Sequence, residues 1–177
     1  SIDVSDWDTS SVKDMNRMFY GCGSLTKLDL SGWDVRNVTD MDHIFADCFK
    51  LAEINFEGWE TLKLEIADAM FNDCNSITVI DVSDFDTQNL KDVSQMFEGC
   101  DLLERIEGLD EWDTRNIHDM YEMFSGDSKL TTLDLSAFDT SSLSNTEKMF
   151  NNCSAMKIIY VGDGWNMSNV TDSADMF

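Results

Sequence analysis

Apolar residues fall into columns that share one period along the chain. Phenylalanine recurs at Phe19, Phe45, Phe71, Phe97, Phe124, Phe150 and Phe177, in steps of 26 or 27 residues, each after a methionine except at Ile44-Phe45. An aromatic followed by an acid keeps the same step at Trp7-Asp8, Trp33-Asp34, Trp59-Glu60, Phe85-Asp86, Trp112-Asp113 and Phe138-Asp139, with Trp165-Asn166 as an uncharged seventh. Cys22, Cys48, Cys74, Cys100 and Cys153 each stand three residues after their phenylalanine, and Asp127 takes that place once. Independent columns on one period define seven repeat units.

Within a unit the spacing changes character. Leu25, Leu28 and Leu30 set an L-x-x-L-x-L pattern that returns as Leu51, Ile54, Phe56, as Ile77, Ile80, Val82 and as Leu130, Leu133, Leu135. Its closing alternation predicts a short strand with one face turned inward. A turn-like stretch such as Asp8-Thr9-Ser10-Ser11 follows. Then Met41, Ile44, Phe45 and Cys48 stand at i, i+3, i+4 and i+7, which predicts a two-turn helix. Thr39 or Asp40 sits at its N-cap position, with Asp14, Asp92, Asp119 and Asp172 as equivalents. No unit of this size buries its apolar stripe alone, so the units must stack. The expectation is one α/β domain over residues 1–177: a solenoid of seven strand–turn–short helix coils, with a parallel β-sheet along the stack. Two of the steps carry an extra residue, at Ile106 to Trp112 and Ile159 to Trp165, where a loop absorbs it.

Composition narrows the function. Twelve Lys and Arg against 35 Asp and Glu leave a formal charge of −23, which excludes electrostatic capture of nucleic acid or of an anionic membrane. No apolar run approaches the roughly 20 residues of a membrane span. At 42% hydrophobic residues the chain is too apolar for a disordered acidic tail. Proline is absent, as expected where each coil donates backbone N–H groups to its neighbours.

The run from L-x-x-L-x-L through Ser31-Gly32-Trp33-Asp34 to Asn37-Val38-Thr39-Asp40-Met41 and Ile44-Phe45-Ala46-Asp47-Cys48 resembles the BspA-like leucine-rich repeat surface proteins. The resemblance extends over essentially the whole chain. It implies a leucine-rich-repeat-like right-handed solenoid, a bacterial cell-surface setting, and adhesion or partner recognition rather than chemistry. The third unit, at Glu60 to Ile66, and the last, at Trp165-Asn166-Met167, keep the core columns but lose polar ones. The chain begins inside the expected strand Ser1–Val4 and ends inside an expected helix at Phe177, with neither end resembling a capping unit, so a piece of a longer array is expected.

The candidate chemistry is sparse. The cysteines end an apolar stripe and are expected as buried thiols, with disulfides between neighbouring coils as the alternative. Methionines and the tryptophan column are expected in the core, the competing reading of the tryptophans being a glycan-stacking face. His43 and His118 lie about three coils apart, too far to act together, and no serine has a base in its own or an adjacent unit, so no enzyme is expected. A threonine column at Thr9, Thr61, Thr87, Thr114 and Thr140 suggests an ice-binding face, but Arg36 and Arg115 beside it would spoil a flat lattice match.

Acid columns remain. Stacked carboxylates about 5 Å apart repel by roughly 1 kcal/mol per pair in water. Asx-turns and helix caps would hold some of them, and a Ca²⁺ site at Asp81, Asp84 and Asp86 is the alternative account; no other cofactor is implied. The outward strand face, at Lys27, Asp29, Asp81, Arg105, Asp134 and Tyr160, is the expected partner surface. It would engage an extracellular or host protein through a basic segment. A rigid stalk, stiffened by Ca²⁺, is the competing function.

Overall fold

The computed structural model describes residues 2–177. Ser1, part of the expected first strand, lies outside them, and Ile2–Val4 form no strand. Six short strands follow: β1 (Lys27–Asp29), β2 (Glu53–Asn55), β3 (Val79–Asp81), β4 (Arg105–Glu107), β5 (Thr132–Leu135) and β6 (Ile158–Val161). They pair in parallel as β1 with β2, β3 with β4 and β5 with β6, in the register the repeat dictates: Lys27 faces Glu53, Val79 faces Arg105 and Thr132 faces Ile158. The expected sheet along the whole stack is therefore replaced by three two-stranded ladders. A second line of parallel bridges runs unbroken through Asp14, Asp40, Ile66, Asp92, Asp119, Asn145 and Asp172 and links each unit to the next.

The expected helix is the main correction, since no α-helix occurs among the described residues. Between Met15 and Cys22 the N–H groups alternate in direction. Met15, Arg17, Phe19 and Gly21 donate sideways to Asp40, Asp42, Ile44 and Ala46 of the next unit, each at 2.9 Å. Met18, Tyr20 and Cys22 donate instead to the residue three before them, closing successive β-turns. A helix would keep all these donors to itself; the turn run gives half of them to the neighbouring unit. Two residues per run take positive φ, as the third position of a type II turn requires. One column is Arg17, His43, Ala69, Gln95, Glu122 and Lys148; the other is Gly21, Asp47, Asp73, Gly99, Gly126 and Asn152. Glycine, aspartate and asparagine tolerate that conformation best, and they fill the second column.

The core is a set of ladders. Phe45, Phe71, Phe97 and Phe124 are fully buried, and consecutive rings from Phe19 to Phe177 stack with centroids 5.5–5.8 Å apart. Trp33, Trp59, Phe85, Trp112 and Phe138 are buried too, and the indole N–H groups of Trp33 and Trp59 donate to the carbonyls of Val4 and Leu30. Such pairs add about 0.5–1.5 kcal/mol beyond their burial. Trp7 is the exposed exception. The threonine column is buried rather than presented: Thr9 Oγ1 donates to the Asp34 carbonyl at 3.1 Å and accepts the Asp34 N–H at 2.9 Å, and Thr114 treats Asp139 alike. A hydroxyl that serves both groups of the adjacent unit is a structural clamp, which removes any lattice-matching face there.

The extra residue of the fifth unit is absorbed by a 3₁₀ turn, Leu109–Glu111, that buries Leu109. Gly108 enters it at φ 89°, and a Cβ there would lie 2.4 Å from the Cα of Ser83, so only glycine fits.

Candidate functional site

The three strand pairs place alternate residues in register on one outward face. Lys27, Asp29, Asp81, Arg105, Asp134 and Tyr160 are all exposed on it. Asp29, Asn55, Asp81, Glu107, Asp134 and Tyr160 form its most regular column, because each is the third residue of its strand. The two cations are neutralised locally: Lys27 Nζ lies 2.6 Å from Glu53 and Arg105 Nε lies 2.7 Å from Glu107. Among the described residues no salt bridge reaches Asp29, Asp81 or Asp134. The face is thus negative with one aromatic end, Tyr160, which is 53% exposed. Across β1 and β2, as far as the start of β3, a shallow groove runs past Lys27, Asp29, Glu53, Asn55 and Val79.

The acid columns are held by backbone. Asp3, Asp29, Asp81 and Asp134 each accept the N–H of the serine two residues on, at 3.0–3.1 Å. Asp8, Asp34, Asp86, Asp113 and Asp139 make the same Asx-turn, as do Asp14, Asp40, Asp92 and Asp119. The last four were expected as helix caps; the acceptor chemistry is the same, but a turn follows instead of a helix. Hydrogen bonds to the ionised form lower a carboxyl's pKa. The Arg36 side chain and its backbone N–H pull Asp34 down to about 2, and Ser83's counterparts Ser5 and Ser136 hold Asp3 and Asp134 below the usual range.

Asp81 and Asp86 therefore each commit one oxygen to a turn, while Asp84 Oδ2 accepts the Gly58 N–H at 3.4 Å. The three do not bring ligand atoms together. Among the described residues that happens at Asp42, His43 and Asp68, whose ligand atoms lie within 4.8 Å of one another. This cluster sits on the turn run, away from the strand face. Sequence reasoning passed over it because His43 was weighed only against His118; the available signal was that Asp42 and Asp68 share a column and His43 adjoins it. His43 Nδ1 contacts Asp42 Oδ1 and lies 4.0 Å from Asp68 Oδ2. Burial first, then the nearby Asp92 carboxylate, pushes Asp68 up to about 6.

The cysteines are all free. Cys48, Cys74 and Cys100 are buried, Cys153 is half-buried and Cys22 is exposed. Each of the first four donates its thiol to the carbonyl of the phenylalanine 29 residues earlier, at 2.9–3.3 Å. Burial pushes the Cys48 and Cys153 thiols up to about 12, which leaves them almost no thiolate near neutral pH.

With this geometry in place, comparison with known proteins assigns the repeat. The chain is built of family-type repeats throughout, and it belongs to the family described as "Mycoplasma protein of unknown function, DUF285", which matches residues 1–79 and 67–177. That description, rather than the BspA-like name, is the one the chain carries. No curated protein matches it. A likeness to a solved structure, "Crystal structure of TLR13-ssRNA13 complex", has 16% identity and a TM-score of 0.31 over 85% of this chain. The chain spans 31% of that one, and the superposition is too loose to bear on fold or ligand. No helix among the described residues is long and apolar enough to cross a membrane.

Proposed function

We propose that this chain is a non-enzymatic interaction module: a leucine-rich-repeat-like solenoid of seven stacked units, displayed at a cell surface, that binds a protein partner through its outward strand face. The observation that carries this reading is the register of the strands. It sets Asp29, Asp81 and Asp134 on one exposed face whose own cations, Lys27 and Arg105, are already paired. A surface of that kind favours a basic segment of the partner, with association that weakens as salt screens it. Extended strand faces are where stacked repeats commonly bind. The carboxylates of the strand face are held by the backbone N–H groups of the serines two residues on, which favours recognition over catalysis at that face.

The test removes charge without removing turns. Asn accepts an Asx-turn hydrogen bond as Asp does, so Asp81→Asn with Asp134→Asn keeps the fold and takes away two negative charges. Binding of an arginine- and lysine-rich peptide, followed by fluorescence anisotropy at about 0.15 M salt, is expected to weaken several-fold. An equal loss in a control with Asp110→Asn and Asp163→Asn, both off the strands, would mean that net charge and not this face does the binding.

A further inference from the structure

We propose that Asp42, His43 and Asp68 form a binding site for one divalent first-row transition metal ion, with Zn²⁺ as its type. The donor set is one imidazole nitrogen and two carboxylates, all three side chains between about a sixth and about a quarter exposed, so a fourth position stays open to water. Ligand atoms that already lie within 4.8 Å of one another need only small rotations to reach the roughly 3.3 Å separations implied by metal–ligand bonds of about 2.0 Å. An imidazole in the set favours Zn²⁺ and its neighbours over Ca²⁺ or Mg²⁺, which take oxygen ligands.

Two further observations point to a cation. Asp68 Oδ1 is shut off from solvent and has no hydrogen-bond partner, although buried polar atoms are almost always satisfied. The His43 ring contacts Asp42 and stands 4.0 Å from the other Asp68 oxygen, Oδ2, so a small turn of the Asp68 carboxylate would offer either oxygen to a metal ion shared by all three residues. The ligands are also held from behind. Asn16 Nδ2 donates to Asp42 Oδ2 at 2.6 Å, Arg17 reaches the same oxygen at 4.0 Å, and the His43 N–H donates to the Asp68 carbonyl at 2.8 Å. Such outer contacts orient metal ligands.

The scaffold repeats, but the ligands do not. The places equivalent to His43 hold Arg17, Ala69, Gln95, Glu122, Lys148 and Asp175, and those equivalent to Asp42 and Asp68 hold Asn16, Ser94, Tyr121, Glu147 and Ala174. One site per chain follows, joining the second unit to the third.

Calorimetric titration of the chain with Zn²⁺ near neutral pH tests it, in a Cys22→Ser background that removes the exposed thiol. The expected result is saturable binding of one equivalent and a rise in unfolding temperature with Zn²⁺ that chelator reverses. Loss of an outer-shell contact alone costs roughly 10- to 100-fold in metal affinity, so His43→Asn and Asp68→Asn are each expected to weaken binding at least about 10-fold. Asparagine suits the φ of 53° at His43. Unfolding curves in chelator establish that each variant folds, and if His43→Asn does not, Asp68→Asn carries the same comparison. Affinity unchanged in a folded variant, binding that disappears with His118→Asn instead, or Ca²⁺ competing on equal terms would each overturn the site.

Discussion

Asp127 shows what a single side chain does in a repeated frame. It occupies the thiol column and is fully buried; Oδ1 accepts the Cys100 N–H at 3.0 Å, and Oδ2 has no partner. Burial pushes its pKa far above the usual carboxylate range. A buried unsatisfied polar atom costs about 1–3 kcal/mol. Asp127→Cys, which restores the residue found in the other units, is therefore expected to stabilise the fold by about 1 kcal/mol or more. Urea unfolding with an unchanged slope measures it, and a destabilised variant would mean that the Cys100 hydrogen bond outweighs the stranded oxygen.

At the scale of the element, the period and the inward columns were legible in the sequence and the backbone was not. Phe19, Phe45 and Phe71 announce the repeat because identical contacts must recur when units stack. Yet Met41, Ile44, Phe45 and Cys48 fit a helix and a run of turns equally well, since the turn run buries the same four side chains that a helical stripe would. The distinguishing signal was the glycine, aspartate or asparagine before each cysteine-column residue, at Gly21, Asp47, Asp73, Gly99, Gly126 and Asn152. A helix has no use for positive φ at that position. The strand-face residues were legible because alternation fixes their direction. The Asp42–His43–Asp68 cluster was not, because it depends on the 26-residue offset bringing one position beside the next. The turn run also sets cysteine chemistry, since it aims the thiols of Cys48, Cys74, Cys100 and Cys153 at a carbonyl of the preceding unit. Maleimide labelling read by mass spectrometry is expected to modify Cys22 fast and Cys153 slowly, leaving Cys48, Cys74 and Cys100 untouched until the chain unfolds. Rapid labelling of Cys74 in the folded state would contradict that packing.

For the whole molecule, charge decides how stability follows pH. Glu98 is half-buried, and burial, then the Asp73 and Glu122 carboxylates, push its pKa up to about 7; Asn72 donates to it. Between its ordinary value of 4.5 and about 7 the folded chain holds this proton more tightly than the unfolded chain, so stability falls as pH rises. Asp127 acts in the same sense. Asp8, Asp29, Asp34, Asp134 and Asp139 act in the other: with pKa values lowered on folding by the turn hydrogen bonds, their contribution is present above the ordinary 3.8 and is lost as pH falls, toward about 2 for Asp34. The unfolding temperature is expected to peak at about pH 4–5, where both contributions are present. Glu98→Gln is expected to flatten the decline between pH 5 and 7.5, measured as unfolding temperature against about half-unit steps of pH; an unaltered slope would show that Glu98 ionises freely.

If the outward strand face is the binding surface, hydrogen–deuterium exchange of the chain with and without the arginine- and lysine-rich peptide will locate it there. Protection is expected only in the peptides that carry the six strands themselves, strongest around Asp81 and Asp134 and lost as salt is raised. Protection centred on the turn run from Met15 to Cys22 and its equivalents, or spread evenly over every acid column, would contradict it.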